Sequence, residues 1–581
     1  MKYFFRLSFA AISLMFATVA LAQQANISER DIFTPTIATH GMVVTGEEIA
    51  AQIGVEILQK GGNAIDAAVT IGFVKAVTYP QAGNIGGGGF MLIYPAKTGK
   101  IIAIDYREKA PAKATRDMFL DKKGKVNSKL SRFSYLSAGV PGTVAGLAMA
   151  LEKYGTLSLA DALAPAIAIA EKGFIVTPAF SDDIKKSAKR LKKHPTTAAI
   201  FFKPDGGFYE AGDYFVQKDI ANTLKAIAKK GIKAFYKGEI ADLIVKDMEA
   251  HGGLITKEDL ANYQPKLRKP IHGTYRGYDI YSMSPPSSGG VHIVQILNIL
   301  ENYDIGLLGH NTAATIHLMA EAMKRAYADR SKYLGDTDFV SVPLTGLTSK
   351  AYAATLSKQI NRQKASVSQD ILPGKPTHYE SNETTHYSVV DKEGNAVSNT
   401  YTINFSFGSG IVVNGAGFLL NNEMDDFSAK PGVPNAYGLI GGTANAIEPH
   451  KRMLSSMSPT IVLKDGKPFI VTGSPGGSRI ITTTLQVIMN VIDHKMNIQE
   501  AVNAVRIHHQ WLPDEIRVEE GLSLDSIKLL TEMGHKVVVK KAMGAAASIL
   551  IGQDTPYGAY DPRRQGMALG NKKQNVLMPD R

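Results

Sequence analysis

The sequence of 581 residues contains no cysteine. Disulfide bonds are therefore impossible, and the folded protein has to be stabilised by its core alone, even in an oxidising compartment. Cysteine nucleophiles and thiolate-ligated metal sites are excluded for the same reason.

A second absence concerns long apolar segments, because no run after the N-terminus is long enough to cross a bilayer. The N-terminus has Lys2 and Arg6 ahead of an apolar run at residues 7–19, followed by a small-x-small sequence at residues 20–22. This arrangement is typical of a cleavable secretory signal, whereas the run is short for a membrane anchor. We therefore expect residues 1–22 to be removed and the mature protein to be exported, periplasmic or secreted, without a membrane anchor.

Nucleic-acid partners are not expected, although the formal net charge is +12. Much of the excess lies in a basic stretch, residues 185–193, that lacks neighbouring aromatic or polar side chains able to read bases. Such a stretch is typical of a solvated helix face. The end of the chain, from about residue 563, is polar and basic, and we expect it to be frayed.

The composition, 44% hydrophobic and 20% charged, is typical of a globular enzyme with an extensive core. The part before residue 384 is rich in helical patterns, with helices predicted at residues 158–172, 256–263 and 312–333. The part after it is rich in strand patterns, which predict strands at residues 387–391, 396–401, 460–463 and 469–473, followed by a helix at 479–494. Residues 366–383 are polar, contain two prolines and are predicted to form an exposed linker.

The predicted linker runs directly into a strand at Glu383, Thr384 and Thr385. A cut between Glu383 and Thr384 would give Thr384 a free α-amine beside its own hydroxyl, which places a nucleophile and a base in one residue. Without the cut, this stretch is an ordinary edge strand with two β-branched residues. The rest of the sequence has to decide between these interpretations.

Four polar or glycine-rich clusters follow this junction, at residues 400–404, 421–427, 454–460 and 473–479. Strand alternation predicts that Thr400, Thr402 and Asn404 share one face. Gly476 and Gly477 precede a predicted helix, where backbone N–H groups can bind a phosphate or a developing oxyanion. Each cluster alone also fits an ordinary turn or helix cap. Together they supply a nucleophile, an oxyanion hole and polar groups for a zwitterionic substrate.

With these clusters, the sequence resembles the bacterial γ-glutamyltranspeptidase family. The resemblance covers essentially the whole mature chain. It rests on the junction and on several ordered segments, at residues 61–68, 86–90, 105–108, 285–290, 421–427, 451–460 and 473–479.

The resemblance implies an α+β fold, the four-layer αββα sandwich of the N-terminal nucleophile hydrolases, built as one large domain from both halves of the chain. It also implies an inactive precursor, in which the Thr384 hydroxyl attacks the Glu383 carbonyl and water hydrolyses the resulting ester. The products are a large subunit, residues 23–383, and a small subunit, residues 384–581. The two subunits stay associated because neither half buries its sheet alone.

In the mature enzyme, the resemblance implies that Thr384 takes up a γ-glutamyl group as an ester and passes it to water or to an amino acid or peptide. Glutathione and other γ-glutamyl compounds are the expected donors. Thr402 is expected to hydrogen-bond with Thr384, and the Gly476 and Gly477 amides are expected to stabilise the oxyanion. No cofactor is expected.

The resemblance also assigns the groups that recognise the two charges of the γ-glutamyl group. The α-carboxylate is assigned to Arg107, whose guanidinium offers a bidentate fork, with help from Ser455 and Ser456. The α-ammonium is assigned to Asn404, Glu423 and Asp426.

Two positions depart from the family pattern. Met453 replaces the usual proline before the serines, and Thr443 replaces a frequent aspartate. Thr443 lies in a segment, residues 434–448, that contains Tyr437 and resembles the lid over the substrate pocket. The serine loop and the lid are therefore the places where this chain is expected to differ.

The adjacent pair His508 and His509 could suggest a metal site. A third histidine or a spaced carboxylate is missing nearby, so a structural role is the preferred interpretation and no metal is expected.

Two other functional classes stay open. A sister amidase of the same fold, either a glutaryl (cephalosporin) acylase or a γ-glutamyl hydrolase without transfer, would share the nucleophile. Asp426 argues against a glutaryl substrate, which has no α-ammonium to pair with a buried carboxylate. An exported binding protein for anionic ligands would use Gly476, Gly477 and Arg479, and would remain one intact chain.

Overall fold

The computed structural model of the chain describes residues 32–376 and 386–571. The predicted signal peptide, the Glu383–Thr384 junction and the last ten residues of the chain lie outside these ranges. The strands, numbered in chain order, are β1 Thr36–Ile37, β2 Gly41–Thr45, β3 Gly88–Tyr94, β4 Ile102–Tyr106, β5 Phe174–Ile175, β6 Tyr214–Phe215, β7 Lys266–Arg268, β8 Ile271–Tyr275, β9 Tyr278–Ser282, β10 Tyr387–Asp391, β11 Ala396–Thr402, β12 Thr460–Lys464, β13 Lys467–Thr472, β14 Ile507–His508, β15 Ile516–Glu519, β16 Val537–Lys540, β17 Ala547–Gly552, β18 Thr555–Tyr560 and β19 Met567–Gly570.

Two seven-stranded sheets organise the molecule. Sheet I has the spatial order β1-β18-β17-β13-β12-β9-β8, and sheet II has the order β19-β2-β10-β11-β3-β4-β7. Neighbouring strands are antiparallel in both sheets. Each sheet contains strands from both sides of residue 384, so the two parts of the chain share their hydrogen-bonded ladders.

The α-helices, again in chain order, are α1 Glu48–Gln59, α2 Ala64–Thr78, α3 Ser128–Phe133, α4 Thr143–Tyr154, α5 Leu159–Lys172, α6 Pro178–Leu191, α7 Pro195–Phe201, α8 Lys218–Lys230, α9 Lys233–Tyr236, α10 Glu239–His251, α11 Lys257–Ala261, α12 Gly289–Leu300, α13 Ile305–Leu308, α14 Ala313–Tyr333, α15 Leu344–Leu347, α16 Lys350–Ser357, α17 Arg479–Ile492, α18 Ile498–Asn503 and α19 Leu524–Glu532. Helices α1, α2 and α4 contact the outer face of sheet II, and α5 packs on α2 with α8 beside it. Helices α12, α17 and α18 contact the outer face of sheet I, and α14 packs on α12.

Strand alternation sorts the buried side chains into layers. In β2, Met42 and Val44 point into the core between the two sheets, whereas Val43 packs against the helices over sheet II. In β10, Val390 and Val389 divide in the same way. Apolar burial on both faces is what holds two sheets between two helical layers, and the predicted four-layer αββα sandwich is confirmed.

The predicted elements are found with small shifts at their ends. Helix α5 begins after Ser158, whose hydroxyl caps Asp161 N, and ends at Gly173 with a φ of 82°. Helix α14 begins after the cap Thr312, and α17 ends at Ile492, two residues earlier than predicted. Helix α11 has its predicted start but is shorter than predicted, since it covers only Lys257–Ala261.

Strand β10 differs from the edge strand considered for the junction. It lies between β2 and β11 inside sheet II, and all five of its residues are buried. The chain that follows the junction is therefore fixed on both sides by backbone hydrogen bonds.

The basic stretch lies largely on α6, with Lys185, Lys186 and Lys189 exposed, which agrees with the predicted solvated face. Among the described residues, no helix combines the length and the apolar character that a membrane span requires.

Asp66 is a buried carboxylate that ties the start of α2 to the loop after α4. It accepts hydrogen bonds from Asn63 N at 2.8 Å, from Thr156 N and Oγ1 at 2.7 Å each, and from Leu157 N at 3.0 Å. A charge without solvent contact is tolerated here because several N–H and O–H donors replace its water.

We expect Asp66→Ala to lower the free energy of unfolding by about 3 kcal/mol, because several buried donors would lose their acceptor. Urea denaturation of the purified protein measures this change. Asp161→Ala is the matched control, since Asp161 is an exposed residue in the first turn of α5, and its cost should stay within about 0.5 kcal/mol. Equal effects of the two substitutions would contradict the role given to Asp66.

Candidate active site

A half-open cavity lies at the C-terminal end of β11, with an empty volume of about 440 Å³. It brings together eight of the residues predicted from the sequence, namely Thr402, Asn404, Glu423, Asp426, Tyr437, Ser455, Ser456 and Gly477. Of the other predicted residues, Arg107 contacts the cavity's carboxylates from behind and Gly476 adjoins Gly477. Glu383 and Thr384 lie outside the described residues.

Thr402 is the last residue of β11, and the chain turns sharply after it. Asn404 has a φ of 74°, and its backbone N–H donates to Thr402 Oγ1 at 2.8 Å. The predicted single face of Thr400, Thr402 and Asn404 is therefore only partly correct, because the strand ends before Asn404. The turn, rather than strand alternation, brings Asn404 to the cavity.

Tyr437 closes one side of the cavity over Asn404. Its hydroxyl donates to Asn404 Oδ1 at 2.7 Å and lies 3.2 Å from Asn404 O. This contact joins the segment 434–448 to the chain just after β11. Thr443, the departure noted in this segment, is exposed and begins a short 3₁₀ helix, Thr443–Asn445.

Arg107 follows β4 directly and is completely buried. Its Nη1 lies 2.8 Å from Glu423 Oε2 and 3.5 Å from Glu108 Oε2, and its Nη2 lies 2.6 Å from Asp426 Oδ2. The residues assigned to opposite charges of one substrate thus pair with each other. We call Arg107, Glu108, Glu423 and Asp426 the arginine cluster.

The arginine cluster has more carboxylates than its guanidinium can neutralise. Burial raises the pKa of Glu108 to about 7, and burial likewise raises the pKa values of Glu423 and Asp426, despite the opposing effect of Arg107. Both Glu423 side-chain oxygens also lack a well-aligned hydrogen-bond donor among the described residues. A cationic ligand with N–H donors would satisfy both deficits.

The serine loop is fixed from several directions. Ser455 N donates to Pro286 O at 3.0 Å, and Leu454 N donates to Asn445 Oδ1 at 2.9 Å. Met453 is buried in an apolar cluster, and its carbonyl accepts a hydrogen bond from Arg107 Nε at 3.3 Å. The methionine side chain therefore contributes packing, while the acceptor is a backbone group that any residue would supply.

Ser456 is the exception within this loop, because its buried hydroxyl has no hydrogen-bond partner among the described residues. An unpartnered hydroxyl that lines a cavity is available to a ligand at no cost to other contacts.

Gly476 and Gly477 lie in the turn before α17, with φ values of 141° and 60°. A Cβ at Gly477 would lie 2.5 Å from the ring of Tyr437, so only glycine fits this close approach. Neither N–H group donates a hydrogen bond to another backbone group of the described residues. Two adjacent free N–H groups beside a cavity are suited to hold an oxyanion.

His386 is the first described residue after the junction, and it is buried. Its Nε2 lies 2.7 Å from Ser388 Oγ and 3.1 Å from Ala547 O, while its Nδ1 lies 3.4 Å from Thr400 Oγ1. Burial lowers the pKa of His386 to about 3, so the ring is neutral. It therefore anchors the start of β10 without adding charge.

Sequence reasoning missed two charged residues of the site. Glu108 belongs to the arginine cluster. It was given no role, although it stands next to Arg107 in one of the segments that carry the family resemblance. Arg330 lines the cavity, and its Nε donates to Ser288 Oγ at 2.9 Å. The signal for Arg330 was a charged residue near the end of a helix, α14, whose side chains were otherwise interpreted as core.

His508 and His509 have local partners. His508 lies 2.9 Å from both Thr482 Oγ1 and Gln510 Oε1, and His509 lies 3.2 Å from Asp514 Oδ1. A different group, which the sequence did not indicate, has the spacing of a metal site. The potential ligand atoms of His317, Glu321 and His535 lie within 4.8 Å of one another.

The side chains of this group already form ion pairs and hydrogen bonds with one another and with neighbouring residues. Lys324 and Arg325 both contact the Glu321 carboxylate, at 3.0 and 2.8 Å, and His317 Nδ1 lies 2.8 Å from His535 Nε2. These contacts occupy the atoms that a metal ion would need.

Comparison with known proteins agrees with this geometry. The model of the family described as Gamma-glutamyltranspeptidase matches residues 50–571. The glutathione hydrolase proenzyme of Escherichia coli K12 is 59% identical, over 92% of each chain.

Two solved structures share the architecture. The structure of cephalosporin acylase from Bacillus halodurans has a TM-score of 0.83 at 30% identity, and the match covers 94% of this chain and 98% of that one. The structure of Helicobacter pylori gamma-glutamyltranspeptidase has a TM-score of 0.56 at 50% identity, covering 60% of this chain and 97% of that one. The fold, the cavity and these similarities together show that the chain belongs to the gamma-glutamyltranspeptidase family of N-terminal nucleophile hydrolases.

Proposed function

We propose that the chain is a self-cleaving γ-glutamyltransferase that uses Thr384 as its nucleophile. It takes the γ-glutamyl group from glutathione and other γ-glutamyl amides, and passes it to water or to the amine of an amino acid or peptide. The observation that carries this proposal is the arginine cluster, which offers both charge signs beside a cavity at the end of β11. Family membership and the proenzyme relative support it.

The pairing of β10 with β11 supports Thr384 as the nucleophile. Tyr387 pairs with Asn399 and Ser388 with Ser398, in antiparallel register. Thr402 follows Asn399 by three positions and lines the cavity, and Thr384 precedes Tyr387 by three positions in the sequence. Thr402 would then hydrogen-bond with the Thr384 hydroxyl and hold it for attack.

The first reaction is the cut that creates the nucleophile. Thr384 Oγ attacks the Glu383 carbonyl carbon, the peptide C–N bond breaks, and the α-amine of Thr384 is released as the ester forms. Water hydrolyses that ester. The signal peptide, residues 1–22, is removed on export to the periplasm or the medium, so the products are residues 23–383 and 384–581. Because both sheets contain strands of both products, the products stay together.

In the mature enzyme the free amine of Thr384 acts as the base. Thr384 Oγ attacks the γ-carbonyl carbon of the donor, and the N–H groups of Gly476 and Gly477 stabilise the oxyanion. The proton passes to the amine, directly or through water, and then to the leaving amine. Water or an acceptor amine attacks the resulting γ-glutamyl ester and regenerates Thr384.

The arginine cluster selects a zwitterionic donor. The α-ammonium binds Glu423 and Asp426, with the side chain of Asn404 beside them, and supplies well-aligned N–H donors, which Glu423 lacks among the described residues. The α-carboxylate then engages Arg107, with Ser455 and the free hydroxyl of Ser456. The substrate thereby inserts one charge of each sign into a cluster that has an excess of buried carboxylate.

The acylase alternative is disfavoured by the same cluster. A glutaryl donor has a carboxylate but no ammonium, so it would add negative charge beside carboxylates that burial already penalises. A γ-glutamyl hydrolase with little transfer activity would use the same residues. It would differ from a transferase only in its acceptor, which would be water rather than an amine.

We expect Thr384→Ala to abolish both the cut and the release of amine from a γ-glutamyl anilide, because the variant has no nucleophile. A denaturing gel should show one uncut band. Thr385→Ala is the matched control and should remain cut and active, since the neighbouring threonine is given no chemical role. Two bands with full activity in Thr384→Ala would exclude the proposed mechanism.

We expect Asp426→Asn to raise the KM for a γ-glutamyl anilide by about ten-fold or more, because an ionic contact with the α-ammonium is lost. The KM for the corresponding glutaryl anilide should change much less. Asp425→Asn is the control, since Asp425 bonds instead to Ser131 Oγ and Arg132. Equal changes for the two donors would refute ammonium recognition by Asp426.

Ser456→Ala separates recognition from folding more cleanly than a change at Arg107, whose loss leaves buried carboxylates uncompensated. Because the Ser456 hydroxyl has no partner among the residues that the structure describes, the thermal midpoint and the cut should be unchanged. The KM for the γ-glutamyl anilide should rise by about ten-fold, as expected for one hydrogen bond to a charged group. Steady-state kinetics and thermal unfolding test this pair of results; an unchanged KM would remove Ser456 from the site.

A further inference from the structure

A second cavity, with an empty volume of about 550 Å³, lies on the other side of the glycine turn from the candidate active site. Pro475 lines this cavity, whereas Gly477 lines the first one. Its other walls come from α2, from the start of β17 and from the segment after β18. We call it the lysine cavity, after Lys75.

Lys75 is a charged residue on a helix that is otherwise almost wholly buried, and only 6% of its own surface is exposed. Its Nζ has one hydrogen bond among the described residues, to Thr45 Oγ1 at 3.3 Å. It also lies 5.4 and 5.7 Å from the ring centres of Tyr79 and Tyr387. An ammonium group has three N–H donors, so Lys75 Nζ makes few hydrogen bonds for a group that is almost fully buried.

Arg564 is a second cation that lines the same cavity. Burial lowers the pKa of Lys75 to about 8; the charge of Glu47 opposes this shift, and the charge of Arg564 adds to it. Neither Lys75 nor Arg564 forms an ion pair within the described part of the chain. Two like charges therefore line one cavity, in which Asp561 is the single carboxylate among the described lining residues, and like charges in one site disfavour each other.

The carboxylates near these two cations have other partners; Asp183, near Arg564, accepts a hydrogen bond from Gln81 Nε2 at 3.2 Å. Glu47 accepts hydrogen bonds from Ile49 N and Ala50 N at 2.8 Å each, and from Thr78 Oγ1 at 2.9 Å. Asp561 pairs with Arg506 at 2.5 Å, and it also contacts Arg563 at 3.2 Å. The anion that would complete the cavity has to come from outside these residues.

We propose that the lysine cavity binds an organic carboxylate with a small apolar body, whose carboxylate contacts Lys75 and Arg564. A guanidinium fork and an ammonium together suit the two oxygens of a carboxylate. The body would lie against Ala545, Ala546 and the ring of Tyr401, which make this wall apolar. The site is separate from the γ-glutamyl pocket and does not depend on the proposed function.

Residue-resolved lysine acylation, read by mass spectrometry of the whole purified protein, tests this proposal. Lys75 and Lys109 both have pKa values lowered by burial to about 8, so Lys109 is a matched internal control. At a pH near this value, saturating butyrate should reduce labelling of Lys75 at least about five-fold and leave Lys109 unchanged. Butyramide, the neutral analogue, and sodium chloride at equal ionic strength should protect neither residue.

Binding measured by calorimetry provides a second readout. The dissociation constant of butyrate should rise at least about ten-fold in Lys75→Met, and should also rise in Arg564→Gln, but stay unchanged in Lys109→Met. Saturating L-glutamate, which is expected in the γ-glutamyl pocket, should leave butyrate binding unchanged, and so separates this site from that one.

The source of the carboxylate is decided by comparing butyrate with N-acetyl-dialanine. Stronger protection by the peptide indicates a peptide C-terminus as the ligand, and stronger protection by butyrate indicates a free acid. Three results would overturn the proposal: no protection of Lys75 by either compound, equal protection by butyramide, or equal protection by chloride, which means an adventitious ion only.

Discussion

The burial of Arg107 among Glu108, Glu423 and Asp426 is the interaction on which the candidate site depends. A guanidinium without solvent contact is stable only where carboxylates surround it, and these carboxylates are themselves held by it. Three carboxyl groups surround one guanidinium, and because burial raises their pKa values, a further cation would favour their charged forms. A ligand with an ammonium and a carboxylate a few bonds apart would supply that cation. The charges of the arginine cluster therefore indicate the class of substrate.

This interaction also crosses the proposed cut. Arg107 and Glu108 precede residue 384, whereas Glu423 and Asp426 follow it, and both sheets interleave strands from the two sides. On the proposed function, cleavage of the peptide bond before Thr384 would change the chemistry of a single residue without separating the two halves.

Much of this arrangement could be predicted from the sequence, for reasons that differ by residue. Caps and periodicity located α5 and α14 because Ser158 and Thr312 act within one turn of chain. The resemblance to a family identified eight cavity residues that lie far apart along the chain. Local patterns could not give the pairing of Arg107 with Asp426, nor Arg330 at the cavity, since both depend on packing between distant elements. The turn at Asn404 could not be predicted for another reason. The alternation of side chains along a strand does not indicate that the strand will be followed by a residue with a positive φ.

The most direct test of the account is the location of the covalent intermediate. Protein quenched in acid during turnover of a γ-glutamyl anilide can be digested and sequenced by tandem mass spectrometry. The account predicts a γ-glutamyl adduct on a peptide whose first residue is Thr384, with the adduct on Thr384 itself. An adduct on any other residue, or a modified peptide that still contains the intact Glu383–Thr384 bond, would contradict it.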